Sequence, residues 1–229
     1  MFFSWSETGI YHKNNNEVNQ DVIITDENQD MMLAILCDGV SSCKYAKEGA
    51  EIAGSSAAIF LSNKYRKLIK YDKRMIAEKT INHVRYDLNK EAKSMDRDVN
   101  EYSSTISAVL YDRDEAKLLC VNVGDAIVGA LTEDGIEIIE KPQRGYKGCY
   151  VTTTKDATQV TDVSVIDADK YKSVFICTDG MWKAFYDGKN ISSDIAEKIK
   201  GEAFDEMVDA MQCNPEMDDR SMVVMKLRG

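Results

Sequence analysis

Residues 31–42 read MMLAILCDGVSS, and residues 173–182 read SVFICTDGMW. In both, an apolar run long enough for a strand buried on two faces ends on Asp-Gly. Asp-Gly is a common turn dipeptide, because Gly accepts positive φ and Asp bonds its own backbone. The chain holds its own controls. Asp134-Gly135, in LTEDGIE, sits among polar residues like a hairpin turn, and Asp187-Gly188, in FYDGKN, looks like a helix exit. Only Asp38 and Asp179 close buried-looking strands, where a carboxylate is costly to desolvate without a cation. Turn formation and metal ligation are both open at this point.

Composition narrows the class. A chain of 229 residues, 44% apolar and 30% charged, suits one soluble domain spanning residues 1–229. It has no apolar run of membrane-spanning length, and MFFSWSETG lacks the basic flank of a signal peptide. The expectation is a cytoplasmic protein with no membrane partner. Six cysteines are scattered without a C-x-x-C pair, and Cys37, Cys120 and Cys177 lie inside apolar runs. They read as reduced, buried thiols. A net charge of −10 without a basic cluster argues against nucleic acid and suits a site that gathers divalent cations.

Strands are expected at residues 2–10, 22–25, 31–37, 105–111, 117–123, 126–131, 136–140, 149–153, 174–177 and 222–227. Short turns between several of them imply antiparallel pairing. Helices are expected at 44–69, 75–95 and 193–211, the last capped by Ser193. This order is that of an α+β domain in which layered sheets carry helices outside.

Five acids stand at strand ends: Asp21, Asp38, Asp125, Asp179 and Asp219. A carboxylate set without His or Cys selects Mg²⁺ or Mn²⁺ over zinc. Two such ions about 3.5–4 Å apart activate a shared water for in-line attack at phosphorus. A two-metal nuclease would use the same acids but needs a basic track that the chain lacks.

Six segments, in order, resemble the metal-dependent serine/threonine protein phosphatases of type 2C, in the short bacterial form. They are VNQDVII, ILCDGVSSCKYAKEGAEIA, STISAVLY, LLCVNVGDAIVGAL, FICTDGMWKAF and DDRSMVVMKL. The resemblance implies a four-layer α-β-β-α sandwich of two antiparallel sheets flanked by helices. It implies hydrolysis of phosphoserine or phosphothreonine in proteins by a metal-bridging water, and a serine/threonine kinase as functional counterpart of a monomeric enzyme.

By matched position, Asp38 bridges two Mn²⁺ or Mg²⁺ ions, with the Gly39 carbonyl on one of them. Asp179 and Asp219 complete the other, Asp21 holds metal-bound water, and Asp125 belongs to a weaker third site. Three departures accompany the match. Gln20 stands where many relatives have Glu, Val40 and Cys43 lie where a histidine follows Asp-Gly, and residues 1–21 hold no Arg to grip the substrate phosphate. His12 and Lys13 are the candidates for substrate binding there, with His12 also a candidate general acid. These departures motivate an alternative reading, a catalytically weak regulatory or partner-binding module. The segment from Pro142 to Lys172 is short for the family's flap.

Overall fold

The computed structural model describes residues 1–145, 148–212 and 216–227. Ten strands form two antiparallel five-stranded sheets. One sheet runs β1 (Phe2–Glu7), β12 (Arg220–Lys226), β11 (Tyr171–Cys177), β6 (Ile127–Thr132), β7 (Ile136–Glu140). The other runs β10 (Asp162–Asp167), β5 (Lys117–Val123), β4 (Ile106–Asp112), β3 (Met31–Cys37), β2 (Val22–Glu27). A small hairpin, β8 (Arg144–Gly145) with β9 (Gly148–Cys149), stands apart from both.

The apolar runs are explained by burial on two sides. In β3, Met31, Leu33, Ile35 and Cys37 face the long helices α2 (Ala46–Leu68) and α3 (Lys73–Ser94). Met32, Ala34 and Leu36 point the other way, into the core between the sheets. In β11, Val174 and Ile176 join that inter-sheet core. Phe175 and Cys177 pack outward against α5 (Asp179–Trp182), α6 (Ser193–Lys200) and α7 (Phe204–Gln212). Three cores separate four layers, helix, sheet, sheet and helix, as the sequence led us to expect.

The differences are local. The expected opening strand stops at Glu7, and Ile10–Asn15 form a short helix, α1. The last helix is two: α6 ends at Gly201, and Glu202 takes a left-handed φ of 55° before α7 begins. Its N-cap is Ser192, one residue earlier than expected. The strand expected at 149–153 shrinks to Gly148–Cys149. Strand β10 lies in the segment from Pro142 to Lys172, where a strand was expected only at 149–153, although DVSVID alternates in the strand manner. Cys37, Cys120 and Cys177 are buried free thiols, while Cys213 lies outside the described residues.

Because Ile35 is fully enclosed between β3 and the helices, Ile35→Ala should cost about 2–5 kcal/mol of stability. Chemical denaturation checks this; a loss under about 1 kcal/mol would contradict two-sided burial of β3.

Candidate metal centre

Each Asp-Gly corner is built by a close backbone approach. The Asp38 N–H donates to Thr105 Oγ1 at 3.0 Å, and the Thr105 N–H donates back to the Asp38 carbonyl at 2.8 Å. A Cβ on Gly39 would stand 2.8 Å from the Ala46 carbonyl oxygen, so only Gly lets α2 start against this corner. At the second corner, a Cβ on Gly180 would come within 2.1 Å of the Asp219 carbonyl oxygen. Gly180 therefore lets the start of α5 lie directly on the chain at 218–219. Asp125 enters from the β5–β6 connection, where the Trp182 indole N–H donates to the Asp125 carbonyl at 2.7 Å.

The result is convergence. Asp38, Asp125 and Asp179 each offer a carboxylate oxygen, and these atoms all lie within 4.8 Å of one another. Asp21 is buried nearby, its Oδ2 accepting the Thr178 hydroxyl at 3.1 Å. Asp179 Oδ1 and Asp21 Oδ1 are buried and have no hydrogen-bond partner.

At the closing motif, neither Asp218 nor Asp219 is among the three carboxylates that lie within 4.8 Å of one another. Asp219 is not in the carboxylate group, because backbone N–H groups already take both its oxygens. Gly9 donates to Oδ1 at 2.7 Å and Gln20 to Oδ2 at 2.6 Å. Asp218 also borders the corner, its Cβ 3.2 Å from the place a Gly180 Cβ would occupy, and its charge helps to raise Asp38. Both acids precede β12, and with Asp219 held by Gly9 and Gln20 it is the charge of Asp218 that bears on Asp38. Nothing in the residue types separates the two.

The N-terminal candidates also lie elsewhere. His12 is enclosed, its Nδ1 2.9 Å from Asp219 Oδ2 but not aligned as a hydrogen bond. Lys13 pairs with Glu7 at 3.1 Å. Two cations not read from the sequence reach the acids instead. Arg144 Nη2 lies 3.3 Å from Oδ2 of both Asp125 and Asp179, and Lys183 Nζ lies 2.6 Å from Asp179 Oδ2. The i,i+4 spacing of Asp179 and Lys183 was a legible signal; Arg144 gave none.

Crowding shows in the acidities. Burial first, then the charges of Asp21, Asp179, Asp218 and Asp125, push Asp38 well above the ordinary carboxylate range. Burial, with Asp219 adding, pushes Asp21 up to about 7. Burial and the charge of Asp179, opposed by Arg144, push Asp125 up to about 6. Asp218 is raised by burial and by Asp179. Unpartnered buried oxygens, an all-carboxylate donor set and mutual repulsion are what a hard divalent cation resolves. The residues fit such an ion.

The sequence profile described as Protein phosphatase 2C matches residues 8–216. The chain belongs to the protein phosphatase 2C family. The match covers most of the chain, and the activity class of a serine/threonine protein phosphatase comes with it. By sequence, no curated protein matches the chain. Solved structures agree on the fold. A bacterial serine phosphatase superposes with a TM-score of 0.73 at 16% identity, over 100% of this chain and 98% of that one. The serine/threonine phosphatase Stp1 from Staphylococcus aureus gives 0.72 at 16% identity, over 100% and 95%. RsbX in complex with magnesium gives 0.64 at 15% identity, over 97% and 92%.

In this phosphatase the raised acids make the metal-free fold sensitive to pH. Asp21 and Asp125 keep protons to about 7 and about 6 when folded, against 3.8 ordinarily. The folded state then binds more protons, so their contribution is complete below 3.8 and lost as pH rises through about 6 to 7. In chelator, Asp21→Asn should flatten that loss, and the Tm gain from Mg²⁺ or Mn²⁺ should grow with pH. Thermal melts across that window test it; an Asp21→Asn profile parallel to the wild type would refute it.

Proposed function

We propose that the chain is a Mn²⁺- or Mg²⁺-dependent hydrolase of phosphoserine and phosphothreonine in proteins, working through two ions. The observation that carries this reading is the set of three strand-end carboxylates within 4.8 Å of one another, two of them placed by Asp-Gly corners. Asp38, with the Gly39 carbonyl beside it, would hold the ions together with Asp179 and Asp218. Asp125 would serve a weaker third site, and Asp21 would orient water through its unpartnered Oδ1. Bound divalent ions supply an activated water and neutralise charge at phosphorus.

The chain's own residues do the rest. The two glycine corners hold Asp38 and Asp179 rigid, so little reorganisation accompanies reaction. Asp219 plays a supporting part in this scheme: it ties residues 9 and 20 to the strand that presents Asp218. His12 stands beside it, and so is assigned to the support and not to substrate. Among the described residues no helix is long and apolar enough to cross a membrane. A cytoplasmic monomer that reverses the work of a serine/threonine kinase fits this reading.

Asp38→Asn should lower Mn²⁺-dependent hydrolysis of a phosphothreonine peptide by at least two orders of magnitude. Asp218→Asn should weaken Mn²⁺ binding in calorimetry, while Asp219→Asn should chiefly lower Tm. Near-normal turnover by Asp38→Asn would end the proposal. Mn²⁺ binding by the wild type without turnover of aryl or peptide phosphates would favour the regulatory module.

A further inference from the structure

Residues 1–21 offer the substrate phosphate no arginine. Lys13 is turned to Glu7, and His12 is buried against Asp219. A phosphoryl group arriving at the centre brings negative charge that basic side chains can pair with. Other elements bring cations to the place where it must arrive.

Arg144 opens the β8–β9 hairpin, and Lys183 follows α5. Both converge on one atom, Asp179 Oδ2, at 3.3 Å and 2.6 Å. Their side chains are 53% and 41% exposed, whereas Asp179 is 10% exposed, so they stand between the acids and solvent. Such a pair has no fixed claim on the carboxylates. A divalent ion held by these acids would compete for the same oxygen lone pairs with twice the charge, and would leave both side chains free to pair with another anion at the rim. A guanidinium fork and an ammonium beside it match the oxygens of a phosphate in shape and charge.

We propose that Arg144 and Lys183 form the phosphate-gripping site of this phosphatase. They hold the phosphoryl group of the substrate from the hairpin side. Before metal loading they act as stand-in counter-ions for Asp125 and Asp179. The proposal rests on the phosphatase reading above.

The test uses the full chain loaded with Mn²⁺. Inorganic phosphate is titrated by calorimetry, and KM and kcat are measured on p-nitrophenyl phosphate and on a phosphothreonine peptide. Arg144→Ala and Lys183→Met should each weaken phosphate binding and raise KM by about tenfold or more, with a smaller effect on kcat. Arg144→Lys should recover part of the loss. Mn²⁺ should bind these variants at least as tightly as the wild type, since an internal competitor has gone. Unchanged phosphate affinity in the double variant, whatever happens to Mn²⁺, would overturn the proposal and leave the pair as counter-ions only. Weakened Mn²⁺ binding in both single variants would also overturn it. If the wild type turns over neither substrate, the phosphatase reading fails, while phosphate binding to the Mn²⁺-loaded wild type and double variant still decides the site. Where an alanine variant does not fold, Arg144→Lys and Lys183→Gln carry the same comparison.

Discussion

Mutual repulsion among buried carboxylates is the constraint around which this fold is arranged. Asp21, Asp38, Asp125, Asp179 and Asp218 come from five distant stretches of chain, and the crowding raises the proton affinity of Asp21, Asp38, Asp125 and Asp218. No local preference brings like charges together. The desolvation and repulsion must be offset by the packing that places them, and by cations. In the metal-free protein the cations are Arg144 and Lys183. Divalent ions are the stronger solution, and the unpartnered oxygen of Asp179 is ready for one.

Packing supplies the placement. β3 and β11 are each buried on both faces, which fixes their ends to within the tolerance of three cores. A residue at such an end inherits that precision, as one on a free loop does not. The glycines then set the last few ångströms, because any Cβ at 39 or 180 would push the corners off Ala46 and off 218–219. Rigid strands give the direction of each carboxylate, and glycine gives the distance between corners.

Legibility followed the same physics. Continuous apolar runs marked β3 and β11, because burial on both faces writes itself into every residue. The acids at their ends, Asp38 and Asp179, were legible for that reason, and Asp125 from its place after LLCVNVG. What depended on rotation about the chain was not legible. Asp218 and Asp219 are adjacent and alike, and only the N–H groups of Gly9 and Gln20, far away in sequence, decide which one turns inward. Arg144 lies in a segment whose residues carry no periodic pattern, and its part is set by tertiary placement alone. The break between α6 and α7 was carried by Gly201 and the left-handed Glu202, a signal too small against the amphipathic pattern on both sides.

The N-terminal segment shows how a departure from the resemblance can be turned to another use. Asp219 draws in Gly9 and Gln20, Glu7 pairs with Arg220, and the Arg220 guanidinium lies over the Trp5 ring at 5.6 Å. Arg220 also donates to the Met211 carbonyl at 2.7 Å, tying α7 to the same strand. These contacts clamp β1 and the following helix onto β12, immediately behind Asp218. A charged pair buried this way stabilises only when its partners are well aligned, since desolvation consumes much of the attraction. Here the alignment is enforced by six paired positions along β1 and β12. A segment held so tightly has little freedom to close on a substrate. With the amino-terminal stretch committed to bracing the closing strand, the proposed phosphate site is left to Arg144 and Lys183, which retain access to solvent.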